Sequence, residues 1–395
     1  MKFFLYRAVF GLIFIFVLMA VIALARGYRP NITERKLEST GILVASSSPD
    51  GAKVYVNGKL EGATNSNVIV KPGMYDIEIK KDGYTPWKKR LSIKGELVIK
   101  TDALLLPQNP SLSPVTSLGV IKALTSPSGD KVIILSDSGD VEKDGIYLLE
   151  NNRNPLSIIN PLKILILKTH LPQNINLNSV EVEFSPDEKE MLITVEGIDS
   201  QSLSRVYLIS SEEKTLKPID VTASVDTIRL AWEKENQKIL SRSLATLKKP
   251  LNKIAPDIFD VVTFSPNEEK ILYRAVKDFE IPLVIKPRLI ARNQSPEMRS
   301  IQKGNLYMYD SKEDMNFEIK NTESPLWYPD SSHLVIQGKD NISIMDYDGT
   351  NSRVVYSGPF EKKFVEVTKD GKLFILLNLN SQKGTLPDLY SVGIR

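Results

Sequence analysis

F-S-P-D-E-K-E-M-L-I-T-V, Phe184 to Val195, followed by R-V-Y-L-I-S, Arg205 to Ser210, is the stretch on which the fold turns. An aromatic residue ends one strand. A Ser-Pro-Asp turn then reverses the chain, since proline presets φ and Asp can bond its own backbone. A short apolar strand follows, then a second hairpin. F-S-P-N-E-E-K-I-L-Y-R-A, Phe264 to Ala275, repeats the unit, with N-L-Y-M-Y-D from Asn305 to Asp310. W-Y-P-D-S-S-H-L-V-I-Q-G, Trp327 to Gly338, repeats it again, with I-S-I-M-D-Y-D-G-T-N after it. Weaker copies are L-T-S-P-S-G-D-K-V-I-I-L with G-I-Y-L-L-E, A-W-E-K-E-N-Q-K-I-L, and V-T-K-D-G-K-L-F-I-L-L with D-L-Y-S-V. Copies therefore start near Ile121, Val182, Leu230, Val262, Leu326 and Val365. One small sheet cannot bury both its faces, and radial stacking of several solves that.

The repeat resembles TolB-like and WD40-like propeller units, in which the S-P-D-G turn and the strand I-Y-x-x-D recur. The resemblance covers residues 108–395 and implies six blades. The third unit departs from it, with Glu233-Lys234 in place of Ser-Pro and no clear second hairpin. Pro110 to Gly119 is the segment expected to supply the strand that closes the ring against the last blade.

Upstream, residues 41–107 alternate with period two. Ile42 and Val44, Val54 and Val56, and Tyr75, Ile77 and Ile79 mark half-buried strands. Turns with a mechanism separate them: Pro49-Asp50-Gly51, Asn57-Gly58, Pro72-Gly73 and Gly83-Tyr84. P-D-G-A-K-V-Y-V-N-G-K-L-E-G-A-T and K-P-G-M-Y-D-I-E-I-K-K-D-G-Y resemble a PEGA domain. The signature is Pro49, Asp50, Gly51 and Ala52, with Asp in place of Glu. The companion positions are Asn57, Gly58, Gly62, Thr64, Gly83 and Tyr84. The resemblance implies a small β-sandwich of the kind carried by surface and envelope proteins of bacteria and archaea, without enzyme activity. The motif residues read as turn formers, and Tyr75 and Tyr84 as core.

Ahead of this module, Ala8 to Ala25 carries no charge. At ~1.5 Å per residue the run makes about 27 Å of helix, close to a bilayer core of about 30 Å. Lys2 and Arg7 precede it, and Arg26 and Arg29 follow. A run longer than an ordinary signal-peptide core favours an uncleaved anchor over residues 1–28, although Ala23-Leu24-Ala25 also fits a cleavage site. Basic residues on both sides leave orientation open by charge. The short N-terminal tail favours an inside start, with the bulk of the chain extracytoplasmic. Residues 29–40 read as a linker. No later segment shows a helical pattern able to pack around so apolar a rod.

The 395 residues contain no Cys and two His, with a formal net charge of +3. Disulfides, thiolate metal sites, cysteine nucleophiles and a lipid-anchored cysteine are excluded. A global field for nucleic acid is absent. His333 is expected at the surface and His170 in a loop. No nucleotide-binding loop, metalloprotease motif or nucleophile elbow occurs in a suitable setting. Asp346-x-Asp348-Gly349-x-Asn351 approaches the start of a calcium loop but lacks the twelfth-position Glu, so it reads as a hairpin turn. No metal, cofactor or catalytic residue is expected. The last repeat runs to Arg395, which leaves no segment for a hydrolase domain after the ring.

The strongest irregularity is an insertion in the fourth unit, Val276 to Gly304, with three prolines and the cations Lys286, Arg288, Arg292 and Arg299. Its length marks it as functional or loosely structured, and its prolines favour an extended strand. It reads as a face-packing loop or as an arm for an anionic envelope partner. On the second reading, deleting 280–300 should leave the propeller folded and weaken partner binding. Taken together, the expected fold is all-β: an N-terminal transmembrane helix, a PEGA β-sandwich and a six-bladed β-propeller. The expected role is a single-pass cell-membrane protein that binds or scaffolds an envelope protein, peptide or cell-wall glycan. A structural module of the wall or surface layer, and an exported hydrolase or lyase, are the other readings.

Overall fold

In a computed structural model the described residues are 2–25, 28–31, 36–151, 162–171, 175–196, 204–290, 292–322, 324–362, 364–379 and 385–394. Side chains of 2–5, 8, 24–25, 29–31 and 36–38 are not described. Contacts divide the chain into two units, 1–109 with 285–296, and 110–284 with 297–394. The tip of the insertion thus belongs to the first unit, which the sequence boundary at residue 107 did not foresee.

The first unit begins with helix α1, Lys2–Ala25. Its described apolar side chains are exposed on every side, Phe10 and Phe16 among them, so it has no face turned to a core. Among the described residues no helix is long and apolar enough to cross a membrane. Residues 9–23 of α1, the unbroken part with described side chains, span about 22 Å at ~1.5 Å per residue. The expected linker is instead a short hairpin, Tyr28–Asn31 against Lys36–Ser39.

Two sheets then enclose one core. Lys59–Ala63, Lys53–Val56, Gly73–Lys80 and Trp87–Ile93 form one antiparallel sheet. Val98–Leu104, Gly41–Ser48 and Ser66–Val70 form the other, with the first two parallel. Leu43, Ala45, Val54, Ile77, Ile79, Trp87 and Leu91 meet between them. Strict alternation of buried and half-buried residues along Gly41–Ser48 shows how the period-two pattern selects the inner face.

The second unit holds five four-stranded sheets among the described residues. At one edge of each stands Val120–Thr125, Glu181–Phe184, Phe259–Phe264, Leu326–Trp327 or Val365–Val367. The outer strand of the fifth sheet is Ser111–Pro114, paired with Asp388–Gly393. The segment ahead of the first blade therefore completes the last one. Among the described residues there are thus five such sheets where six blades were expected. The third sequence repeat, at Leu230, lies in helix α2, Val225–Ala245, followed by α3, Leu251–Ile258. The all-β expectation is corrected with it.

The cause is local. Glu233-Lys234 offers none of the residues a reversing turn needs, while 225–245 contains neither Gly nor Pro. Asp226 lies in the first turn of α2 and Arg242 in the last, each suited to the helix dipole. Val225, Ile228 and Trp232 pack on Leu192, Val206 and Val221 of the second blade. Leu244, Leu247, Leu251 and Ala255 pack on Tyr273, Tyr307 and Tyr309 of the third. The two helices therefore cover blade faces where a sheet was expected.

Candidate functional site

The PEGA-motif residues are structural throughout. Gly51, Gly58 and Gly83 have φ of 74°, 80° and 81°, a region that costs glycine nothing. The Asn57 Oδ1 accepts from Asp76 N–H at 2.9 Å, pinning the turn to the neighbouring strand. Ala52 is fully buried, and its N–H donates to Thr64 Oγ1 at 2.9 Å. Thr64 also shares a hydrogen bond with Ser47 Oγ at 2.7 Å. Gly62 sits where the hairpin register shifts. Tyr75 and Tyr84 pack against the core. Pro49 and the exposed Asp50 complete the first turn.

In the second unit one turn recurs in five places. Gly129, Glu188, Glu268, Ser331 and Gly371 all have positive φ, and each donates its N–H to the residue three before it. These turns join blade to blade. Glu188 Oε1 accepts from Ser128 N–H at 2.6 Å. Ser331 Oγ accepts from Asn267 N–H at 3.1 Å. Tyr328 OH donates to Gly371 O at 3.1 Å. Asn151 Nδ2 donates to Val367 O at 3.2 Å, bringing the fifth blade to the first.

His333, expected at the surface, is only 3% exposed. The turn in which it sits is covered by the neighbouring Tyr328 ring and by Asp346. Its Nδ1 lies 2.7 Å from Asp330 Oδ2 and its Nε2 3.5 Å from Asp346 Oδ1. Burial alone would lower its pKa. The two carboxylates prevail and raise it to about 9. Asp346 also accepts from Asn351 Nδ2 at 2.9 Å, and Asp348 from Thr350 N–H at 3.1 Å. The Asp-x-Asp-Gly-x-Asn segment is therefore a hairpin turn whose carboxylates bond within it. Among the described residues no group of three or more acidic or His side chains is placed to hold a metal ion.

The insertion divides in two. Its stem, Phe279–Glu280 against Ser300–Ile301, belongs to the third blade. Arg299, one of the cations on the partner-arm reading of the insertion, is buried there. Its Nε meets Glu297 at 3.0 Å, its Nη2 Asp314 Oδ1 at 3.2 Å, and its Nη1 donates to Pro282 O at 3.0 Å. Its guanidinium was read as an exposed cation because the sequence did not show the acidic partners on Glu297 and Asp314. The tip, 285–296, lies with the first unit, where Gln294 brackets the edge-strand residue Ser92. Ser92 N–H donates to Gln294 Oε1 at 2.6 Å, and Gln294 Nε2 donates to Ser92 O at 2.8 Å. Lys286 and Arg288 are exposed and Arg292 is half-buried. The three prolines thus accompany bends and two-residue strands rather than one extended arm.

A cavity of about 260 Å³ is lined by Leu124 and Thr125 of the first blade, Leu326 and Gln337 of the fourth, and Phe364 and Val365 of the fifth. The cavity therefore lies where the first, fourth and fifth blades meet. Glu366 stands beside it, accepting from Val367 N–H at 3.0 Å. Burial pushes its carboxyl above the ordinary range, against the pull of the Thr125 hydroxyl. Rigid apolar walls with a few polar groups suit recognition of a ligand. The motif analysis missed this site because its residues come from blades distant in sequence.

A PEGA domain model matches residues 40–109. No curated protein matches the chain. Among solved structures, the chain is similar to TolB from Acinetobacter baumannii, at 13% identity and a TM-score of 0.21, over 81% of this chain and 60% of that one. A putative TolB from Agrobacterium tumefaciens is 12% identical, with a TM-score of 0.20, over 89% and 98% of the two chains. The β-propeller domain of the Trilobed protease from Pyrococcus furiosus is 14% identical, with a TM-score of 0.17, over 86% and 78%. The chain spans less than two thirds of the first of these.

Proposed function

We propose that this chain is a membrane-anchored extracytoplasmic protein of the cell envelope that binds or scaffolds rather than catalyses. The uncharged run Ala8 to Ala25, helical and exposed on every side over its described side chains, supports the anchor. The match of 40–109 to a PEGA domain supports an envelope setting. The observation that carries the binding role is the cavity between the first, fourth and fifth blades, whose walls come largely from strands of all three. Such a site is positioned by backbone ladders and not by a loop. Its ligand is a protein, peptide or glycan segment with an apolar body and a hydrogen-bonding group for Gln337, Ser324 or Thr125.

A photo-crosslinking residue at Leu124 of the full chain, activated in intact cells, should capture an envelope protein or glycan. Leu326→Asp, which places a charge on the apolar wall, should reduce the yield severalfold. A yield at Leu124 no higher than at Val354, an exposed outer-strand position, would rule this cavity out as the binding site.

A further inference from the structure

The outward face of the three-stranded PEGA sheet carries an uncovered apolar row. Val98 pairs with Ile42, and Ile42 with Ile69, so these β-branched side chains stand side by side across three strands. Their neighbours in sequence, Ile99, Leu43 and Val68, point inward to the core. Val98 is 46% and Ile69 48% exposed, and Ile42 between them is half-buried, so the three form one contiguous apolar row.

The face changes character along the strands. The next row is Asn67, Val44 and Lys100. Beyond it stand Ser46 and Asp102, joined by a hydrogen bond. Moving away from Gly41, the order is therefore apolar, then basic and neutral, then acidic. Lys94, at the same end as the apolar row, is exposed.

That apolar end is held near the end of α1. Seventeen residues could carry Ile42 about 60 Å from Ala25 if extended. The hairpin prevents this by pairing Tyr28 with Ser39. Three residues lead from Ala25 to Tyr28 and three from Ser39 to Ile42, each about 10 Å at most. With one paired-strand spacing of about 5 Å between them, Ile42 lies within about 25 Å of the helix end. The Tyr28 hydroxyl donates to Glu96 Oε1 at 2.6 Å, two residues from Val98. The turn bearing Glu96 is fastened to the same strand, with Glu96 N–H donating to Thr40 O and Ile42 N–H to Leu97 O, both at 2.9 Å. An aromatic ring with a polar tip beside the end of an apolar helix suits the membrane–water boundary.

We infer that the row Ile69–Ile42–Val98 rests on the lipid bilayer surface, with Lys94 and Lys100 toward anionic headgroups and Asp102 directed away. This rests on the anchor reading of α1. Apolar burial and attraction of cations to anionic lipid act together at such a surface. The contact would hold the PEGA module against the membrane.

The test uses the absence of native cysteine. Single nitroxide labels are placed at Val98→Cys, Ile69→Cys, Leu60→Cys and Phe14→Cys of the full chain, in vesicles of phosphatidylcholine and phosphatidylglycerol. Oxygen and a water-soluble nickel chelate report lipid and solvent. Labels at 98 and 69 should show an oxygen-to-nickel ratio severalfold above that at Leu60, an exposed position on the other sheet. If 98 and 69 match Leu60 while Phe14 reports lipid, the inference fails and the anchor stands. A solvent-exposed Phe14 overturns both. Dipolar broadening between copies at 98 with solvent-like accessibility assigns the row to a second copy, and also overturns it.

Discussion

Replacing Arg299 by Met is expected to destabilise the second unit by about 3–5 kcal/mol, because it leaves one charge of a buried pair without its partner. Asp314 is 3% exposed, and its carboxylate also accepts from Tyr309 OH at 2.9 Å and Val284 N–H at 2.8 Å. Around it, Asn316 Nδ2 donates to Met298 O at 2.7 Å and Tyr273 OH donates to Asn316 Oδ1 at 2.9 Å. Burial drives both tyrosines well above their usual pKa, so both remain donors. The double change Arg299→Met with Asp314→Asn removes the Arg299–Asp314 charges and keeps an acceptor for Tyr309, while Glu297 still loses its guanidinium. It should recover part of the loss. Urea unfolding with hydrogen exchange read on Leu306–Asp310 and Met315–Glu318 measures both. A loss under 1 kcal/mol in the single variant would mean that the pair contributes little.

The same network revises the deletion expected to be harmless. Removing 280–300 takes away Arg299 and half the stem, and should destabilise the third blade to a similar degree. Replacing only 285–296 with a short Gly-Ser bridge keeps Arg299, Pro282 and Val284 in place. It should leave hydrogen exchange in those strands unchanged. Equal exchange in the two deletions would contradict this division of the insertion.

The second large effect is a loss of stability in alkali. Its two carboxylate neighbours raise the folded pKa of His333 to about 9, above the ordinary imidazole value of about 6.5. A group raised in the folded state contributes its full stabilisation below the unfolded pKa and loses it as pH climbs through the folded one. Stability of the second unit should therefore fall between about pH 6.5 and 9, by up to about 3 kcal/mol for a shift of this size. Asp330 works in the other direction. Burial would raise its carboxyl, but the bond to His333 wins and lowers it, so its contribution disappears only in acid. Arg353 interacts with Asp346, and burial lowers its pKa against the pull of that carboxylate. His333→Gln should flatten the profile between pH 6.5 and 9. A wild-type profile already flat across that range would show that the imidazole is not held protonated.

Much of this architecture is legible in the chain itself. The turns at Gly51, Gly58 and Gly83 and the strands they separate follow from residues whose backbone preferences act locally. So do the five Ser-Pro-Asp type turns. The positive φ of Glu188, Glu268 and Ser331 is not legible in the same way, since these residue types disfavour it even though the same turn closes at each. The reading failed at Leu230, where a spacing match outweighed helix propensity. A missing turn former at Glu233-Lys234 was the available signal.

What the sequence by itself determined is the two-part plan and the turn chemistry of each part, because turns and period-two strands are set within a few residues. What only the tertiary structure decided is which charges meet. Arg299 joins Asp314, His333 joins Asp346, and Leu124, Leu326 and Val365 converge on one cavity. His333 and Asp346 meet through strand register and Arg299 and Asp314 through the fold of one insertion stem, while only the cavity depends on how blades stack; burial then turns ordinary surface residue types into buried ion pairs and perturbed acids.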